Sequence, residues 1–283
     1  MSCAVCGGQL ERAFEAYDIN RRISDRSFHY ARCSDCRTYQ LLDVPCDLDA
    51  YYTTAYYGDI GQLGSGEYAR QQLVCIPPQL SGRLIDVGPA MGGLLRAANG
   101  RFADRAAVER DPECCATLRA DGVETVETED PVAGVLALAP ADVVTMFHLI
   151  EHVPDPMSLL DAAATRVKPG GALVVATPNP QAFSFRVCGA WWVHLEAPRH
   201  LFLLPLRVIA RRLEQSGLRM SSVTTRDRNG LHLDANAWGH WATHVARNPR
   251  ASYYLRATMR HLALPIERLP LRGSTYTAVF SRS

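Results

Sequence analysis

Residues Arg83 to Leu95, RLIDVGPAMGGLL, limit the fold of this chain more than any other stretch. An apolar strand runs up to Asp86, a tight turn of small residues follows, and an apolar helix begins beyond it. Gly88, Ala90, Gly92 and Gly93 carry little or no side chain where a ligand must come close to backbone. Small residues between a parallel strand and a helix let the chain turn sharply and let N–H groups at the helix start face a bound group. A nucleotide-type pocket is therefore the first expectation. A glycine-softened turn in an ordinary βαβ unit is the alternative that these residues alone allow.

The chain has 283 residues, 47% hydrophobic and 21% charged, with a formal net charge of +1. It can bury a real core in one large or two unequal domains. Near-neutral charge argues against a protein whose affinity for nucleic acid comes mainly from neutralising phosphates, although a local basic patch survives that argument. The opening MSCAVCGGQL has a cysteine pair in place of a signal peptide's apolar run. No segment approaches the roughly 20 apolar residues that cross a bilayer. A cytoplasmic location is expected, and in a reduced compartment nine cysteines raise the question of metal before that of disulfides.

Cys3 and Cys6 form one C-x-x-C, Cys33 and Cys36 another, with 26 residues between the pairs. Two such knuckles make a tetrahedral four-thiolate site, and Zn2+ is its usual occupant because it accepts four sulfurs without redox chemistry. Four thiolates leave no open position, so this zinc is expected to hold the fold and not to catalyse. A hairpin through Arg12 to Tyr30 fills the gap. Cys46, Cys75, Cys114, Cys115 and Cys188 show no metal spacing. Residues 1–46 thus read as a zinc-ribbon domain. Residues 47–80 form a tyrosine-rich connector and a helix that ends near Pro77 and Pro78. Within the connector Tyr51, Tyr52, Tyr56 and Tyr57 suit packing, with Tyr57 also a candidate ligand contact in a flap.

Beyond the first turn, RAAVERDPECCATLRA reads as a strand, an acid at its end, and a helix opened by Asp111 and Pro112. Glu109 lies 23 residues after Asp86, close to where βαβ nucleotide folds place a carboxylate against a ribose. GVETVETED gives a third strand with Glu127, Glu129 and Asp130 at its exit, one of them a cap for the next helix or a contact to an adenine amine. ADVVTMFHLIEH is an apolar strand with a polar exit. The following helix is expected to start near Asp155 and end at Lys168, Pro169, Gly170 and Gly171, and the next strand to end at Pro178 and Asn179.

The order Asp86, Gly88, Ala90, Gly92 resembles motif I of class I S-adenosylmethionine methyltransferases, D/E-x-G-x-G-x-G, with Ala90 in place of the second glycine. The succession of strand, E-H-V-P-D-P, helix, K-P-G-G, strand and T-P-N resembles the middle of the same family, in the branch with ubiquinone-pathway O-methyltransferases and many sugar and natural-product methyltransferases. The resemblance covers roughly Ser81 to Asn179. It implies an α/β fold: a Rossmann-like seven-stranded methyltransferase sheet with helices on both faces over residues 81–283, closed by STYTAVFSRS as a strand antiparallel beside the sixth. The small N-terminal four-cysteine zinc ribbon is added to it. S-adenosyl-L-methionine is the implied donor, held by Asp86, Gly88, Pro89, Ala90, Gly92, Glu109, Arg110, Phe147 and His148.

His148, Glu151 and His152 also spell H-x-x-E-H, the signature of one metallopeptidase group, which needs the motif inside a helix. Here it follows a β-rich run and is broken by Pro154 and Pro156. The ubiquinone-pathway relatives hold a divalent metal with E-x-x-E-H. With His148 in place of the first Glu, a catalytic metal at His148, Glu151 and His152 is an open question.

The loop from Gln181 to Leu204 follows the carboxyl end of the fifth strand, where open α/β sheets place substrates. Its Trp191, Trp192, His194, Arg199 and His200 are substrate candidates. Core anchoring of the tryptophans and an acid partner for Arg199 are the alternatives. Three imidazoles could accept a proton from a methyl acceptor: His152, His200 and His194. Residues 227–273 read as a lid insertion whose greasy end, LALPIERLPL, could touch a lipid-linked substrate.

The expected function is methyl transfer to a hydroxyl of a small-molecule or sugar-type acceptor. Two rivals are a zinc-ribbon rRNA base methyltransferase, which an arginine-rich ribbon would suit, and a catalytically vestigial methyltransferase-like partner protein.

Overall fold

The computed structural model describes residues 1–52, 66–226 and 237–283, so Tyr56, Tyr57 and the first ten residues of the expected lid lie outside the described residues. The strands are β1 (Leu10–Tyr17), β2 (Ser27–Cys33), β3 (Tyr39–Leu41), β4 (Arg83–Val87), β5 (Asp104–Glu109), β6 (Glu124–Glu127), β7 (Ala141–Phe147), β8 (Val167–Pro178), β9 (Phe202–Leu203), β10 (Leu218–Thr224) and β11 (Thr275–Arg282). The helices are α1 (Glu67–Val74), α2 (Gly93–Ala97), α3 (Pro112–Ala120), α4 (Pro131–Ala137), α5 (Pro156–Arg166), α6 (Phe183–Cys188), α7 (Leu206–Gln215), α8 (Gly239–Ala246) and α9 (Pro249–Glu267). The chain forms two compact units, one of residues 1–51, 177–208 and 224–276, the other of 52–176, 209–223 and 277–283.

The second unit carries the seven-stranded sheet, in the order β10-β11-β8-β7-β4-β5-β6. Strands β6, β5, β4, β7 and β8 are mutually parallel, with Asp86 opposite Ala107 on one side and Thr145 on the other. Leu84, Leu94, Leu95, Phe102, Leu118, Val143 and Val174 form its buried core. This arrangement agrees with the methyltransferase sheet implied by the motifs.

Three helices of this unit start alike. Asp111, Asp130 and Asp155 each accept a backbone N–H from the first turn, and each is followed by proline at the first helical position. The carboxylate satisfies an otherwise orphaned donor, and proline supplies a preset φ where no N–H is needed. Asp130 is thus the helix cap among the three acids at the exit of β6. The K-P-G-G segment behaves differently from expectation. Helix α5 ends at Arg166, and Val167 already pairs with Ala141, so Lys168 to Gly171 form the irregular start of β8 with Gly170 at φ 78°. A left-handed glycine takes up the register shift between Ala141 and Val143 without ending the strand.

The first unit holds a four-stranded sheet in the order β1-β2-β3-β9. The β1–β2 hairpin runs where the gap between the cysteine pairs leaves room for one, and Cys3, Leu10, Ala31 and Cys33 form a small buried cluster. Strand β3 pairs with β9 through Tyr39 and Leu203, so the ribbon sheet includes residues far along the chain. Among the described residues no helix is long and apolar enough to cross a membrane.

Candidate functional site

Strand order reverses between β4 and β7. From β4 the chain builds outward through β5 and β6, then crosses to β7 on the other side. In open α/β sheets the crevice outside the carboxyl ends at such a switch point is where ligands bind. Asp86 and the glycine turn leave β4 there, while Phe147 and His148 leave β7.

Asp86 is buried at 4% exposure, and its carboxyl accepts the Thr145 hydroxyl at 2.7 Å. Burial, joined by the nearby Glu109 charge, pushes it up to about 7, although the Thr145 hydrogen bond pulls the other way. An acid that binds its proton more tightly folded than unfolded loses stability as pH rises from its ordinary 3.8 through 7. Asp86→Asn, which keeps the acceptor for Thr145, is therefore expected to raise stability above pH 7 by up to about 4 kcal/mol and to leave it little changed near pH 4. Thermal melts at both pH values check this. Equal shifts at both would sink it.

The turn itself is held by backbone conformation. Gly88 and Gly92 have φ of 70° and 74°, and a Cβ on them would lie 2.8 Å from Leu149 Cδ1 and 2.6 Å from Leu118 Cδ2. Ala90 also sits in the left-handed region, at φ 49°, where a methyl side chain is strained. Its N–H donates to Glu109 Oε2 at 2.9 Å, which fixes the turn to the end of the neighbouring strand. Ala90→Gly, which restores the glycine of motif I, is expected to stabilise the fold by roughly 1 kcal/mol. Urea denaturation would read the change.

Glu109, 6% exposed, is the hinge of the site. Besides Ala90 N–H, it accepts the N–H groups of Arg110 at 2.8 Å and Asp111 at 3.0 Å through Oε1. A carboxylate offers about four acceptor positions, so three backbone donors orient the group and leave room for a further donor. The Arg110 guanidinium lies 5.3 Å from the centre of the Tyr52 ring and 3.6 Å from Glu129. Pro89 lies within the turn, where its carbonyl accepts the N–H of Gly92 at 2.9 Å.

His148 has φ 54°, and its Nδ1 lies 3.4 Å from Glu151 Oε1. Burial alone would raise the Glu151 carboxyl, but the His148 hydrogen bond and the charges of His148 and His152 outweigh it and hold the group below its usual range. Residues Ile150–His152 form a single 3-10 turn and not an α-helix, so the peptidase reading of H-x-x-E-H lacks its scaffold. His152 Nδ1 shares a 3.0 Å hydrogen bond with the Tyr52 hydroxyl. Nothing in a tyrosine-rich run marks which ring meets an imidazole 100 residues later, so the polar role of Tyr52 has no local signal.

His194 and His200 belong to the first unit. His200 Nδ1 lies 2.9 Å from the carbonyl of His194, and the carbonyl of His200 accepts the Tyr30 hydroxyl at 2.7 Å. Arg199 and Asp18, both with fully buried side chains, lie 3.6 Å apart, and Glu196 is 3.3 Å from the same guanidinium. Trp192 is fully buried with its indole N–H donating to Ser184, whereas Trp191 stacks on His244 at 3.8 Å between ring centres.

In the same unit the sulfurs of Cys3, Cys6, Cys33 and Cys36 all lie within 4.8 Å of one another. Cys3 and Cys36 are 3.8 Å apart, Cys6 and Cys33 3.5 Å. A zinc ion with bonds of about 2.3 Å to four sulfurs spaces them by about 3.8 Å, so this donor set fits tetrahedral zinc. Backbone N–H groups of Val5 and Cys6 point to the Cys3 sulfur, and those of Cys36 and Asp35 to Cys33. Burial pushes the Cys3 thiol up to about 12; at Cys33 burial acts the same way, but the N–H groups overcome it and bring the thiol to about 7.

A family model described as a methyltransferase domain matches residues 66–223. The ubiquinone biosynthesis O-methyltransferase of Acinetobacter baylyi is 30% identical over 173 residues, which cover 56% of this chain and 70% of that protein. The enzyme of the same name from Xanthomonas campestris pv. campestris is 36% identical over 126 residues, 41% of this chain and 52% of that protein. The chain thus spans between about half and 70% of these relatives' length. In fold it is similar to a SAM dependent methyltransferase from Archaeoglobus fulgidus, with a TM-score of 0.53 and 15% identity over 80% of this chain and all of that one. With more than half its length matched by the family and a seven-stranded, mostly parallel sheet, the chain belongs to the methyltransferase domain family, as a class I S-adenosylmethionine-dependent methyltransferase.

Proposed function

We propose that this methyltransferase acts on a hydroxyl of a small-molecule or sugar-type acceptor, and that its four-cysteine cluster holds a structural zinc ion. The observation that carries the donor site of this reading is the Glu109 carboxylate at the end of β5, oriented by the N–H groups of Ala90, Arg110 and Asp111. A carboxylate so placed has an acceptor position left for a ribose hydroxyl and discriminates against a 2′-phosphate. The turn from Gly88 to Gly92, with Asp86 and Pro89, supports the donor's methionine end, and Arg110, Phe147 and His148 line the remainder of its pocket. When bound, S-adenosylmethionine supplies an electrophilic methyl on a sulfonium, so the protein has no donor to activate. Its residues must align the acceptor, exclude water and take up a proton.

His152 is the preferred proton acceptor because the Tyr52 hydroxyl, 3.0 Å from its Nδ1, fixes the ring beside the exit of β7. His200 and His194, in the first unit, are assigned the same role as alternatives. The ubiquinone biosynthesis relatives support oxygen as the acceptor atom. A screen with methyl-labelled donor against phenols, sugar nucleotides and RNA tests the reading. Label on a phenol or sugar hydroxyl supports it, label on an RNA base replaces it, and donor binding with no transfer to any class would count against it.

A further inference from the structure

We propose that the helical hairpin of α8 and α9 docks on an anionic lipid surface. Between residues 237 and 273 the sequence has six arginines, Arg247, Arg250, Arg256, Arg260, Arg268 and Arg272, and a single acid, Glu267. The rest of the chain has 24 basic against 28 acidic residues, so the charge of this stretch is opposite to that of the remainder. Glu267 is 2% exposed and accepts the indole N–H of Trp238 at 3.1 Å, so no carboxylate of the hairpin faces outward.

The same stretch concentrates exposed apolar surface. Tyr253, Tyr254, Leu262 and Leu269 are 70%, 69%, 66% and 52% exposed, while α9 buries only Ser252, Ala263 and Glu267. Leu255, Met259, Leu262, Ile266 and Leu269 follow one another at spacings of four, three, four and three residues, which places the helical ones on a single stripe. On the other side of the helix Arg256, Arg260 and Arg250 form a basic flank, and Tyr254 and His261 lie between the two.

Such a seam suits either the same helix of a second copy or an apolar boundary layer, and charge decides between them. A second copy would bring arginines against arginines with no acid to separate them, and like charges at close approach oppose association. Anionic headgroups complement the arginines, the leucine stripe reaches the acyl boundary, and paired exposed tyrosines suit headgroup depth, where one end of the ring is wet.

Sedimentation of the full-length protein with phosphatidylcholine vesicles, with and without phosphatidylglycerol, tests this. The expected result is binding that requires phosphatidylglycerol and weakens with salt. Reversing Arg250, Arg256 and Arg260 to Glu should lower the partition about 100-fold. Leu262→Ser with Tyr254→Ser should lower it as well, with S-adenosylmethionine binding unchanged in both variants as the control for folding. Equal binding to neutral and anionic vesicles, or no response to charge reversal, overturns the proposal. So does a concentration-dependent dimer that Leu262→Ser disperses in the absence of lipid binding, or capture by polyglutamate without capture by vesicles.

Discussion

Glu109→Ala is expected to weaken S-adenosylmethionine binding by about 10- to 100-fold by calorimetry. A hydrogen bond to a charged acceptor contributes about 1.5–3 kcal/mol, and the one to the ribose is lost. The same change releases the N–H groups of Ala90, Arg110 and Asp111, so the left-handed turn at Ala90 loses its tether and melting temperature falls too. Glu109→Gln separates the two contributions. Its amide matches the shape, but its NH2 end meets a backbone donor, so affinity should drop while the fold is less disturbed. A dissociation constant within about threefold of the parent in both variants would reduce Glu109 to a structural acid and remove the carrying observation for the proposed donor site.

Cys6→Ser should release the metal and unravel the ribbon. Structural zinc in four-ligand sites contributes about 10–16 kcal/mol near neutral pH, far more than a ribbon whose buried cluster is Cys3, Leu10, Ala31 and Cys33 could replace. Elemental analysis should find one zinc per chain in the parent and none in the variant, with new protease cleavage in residues 1–41. Strong chelators should do the same to the parent. Because four thiolates close the coordination shell, donor binding at the switch point of the other sheet should persist, and this separates a structural metal from a catalytic one. A variant that keeps its ribbon protected from protease with no metal present would exclude the assignment.

Much of the second unit was legible because local chemistry and overall fold agree there. Asp111-Pro112, Asp130-Pro131 and Asp155-Pro156 each announce a helix start through an orphan donor and a preset φ, and each helix starts there. Asp86 and Glu109 lie at the carboxyl ends of β4 and β5, as the apolar runs before them predict. Other features left no local signal. Ala90 and His148 adopt positive φ, yet neither residue type advertises it, since tertiary contacts and not propensity hold them. Trp191 and Trp192 are adjacent and chemically identical, and only packing decides that one is buried against Ser184 and the other stacks on His244. Lys168 to Gly171 read as a helix end, but the helix already ends at Arg166 and the register of β8 against β7 recruits them into the strand. A two-residue strand such as β9 has no periodicity to detect, and its pairing with β3 depends on residues 164 positions apart.

That last pairing bears on how the protein is made. The sheet begun by the first three strands cannot be completed until Phe202 and Leu203 have left the ribosome, which at about 5–20 residues per second comes roughly 8–30 s after Tyr39. During that interval β3 presents an open hydrogen-bonding edge to whatever else is nascent or nearby. A stalled chain ending before residue 200 should therefore be held by chaperones or self-associate.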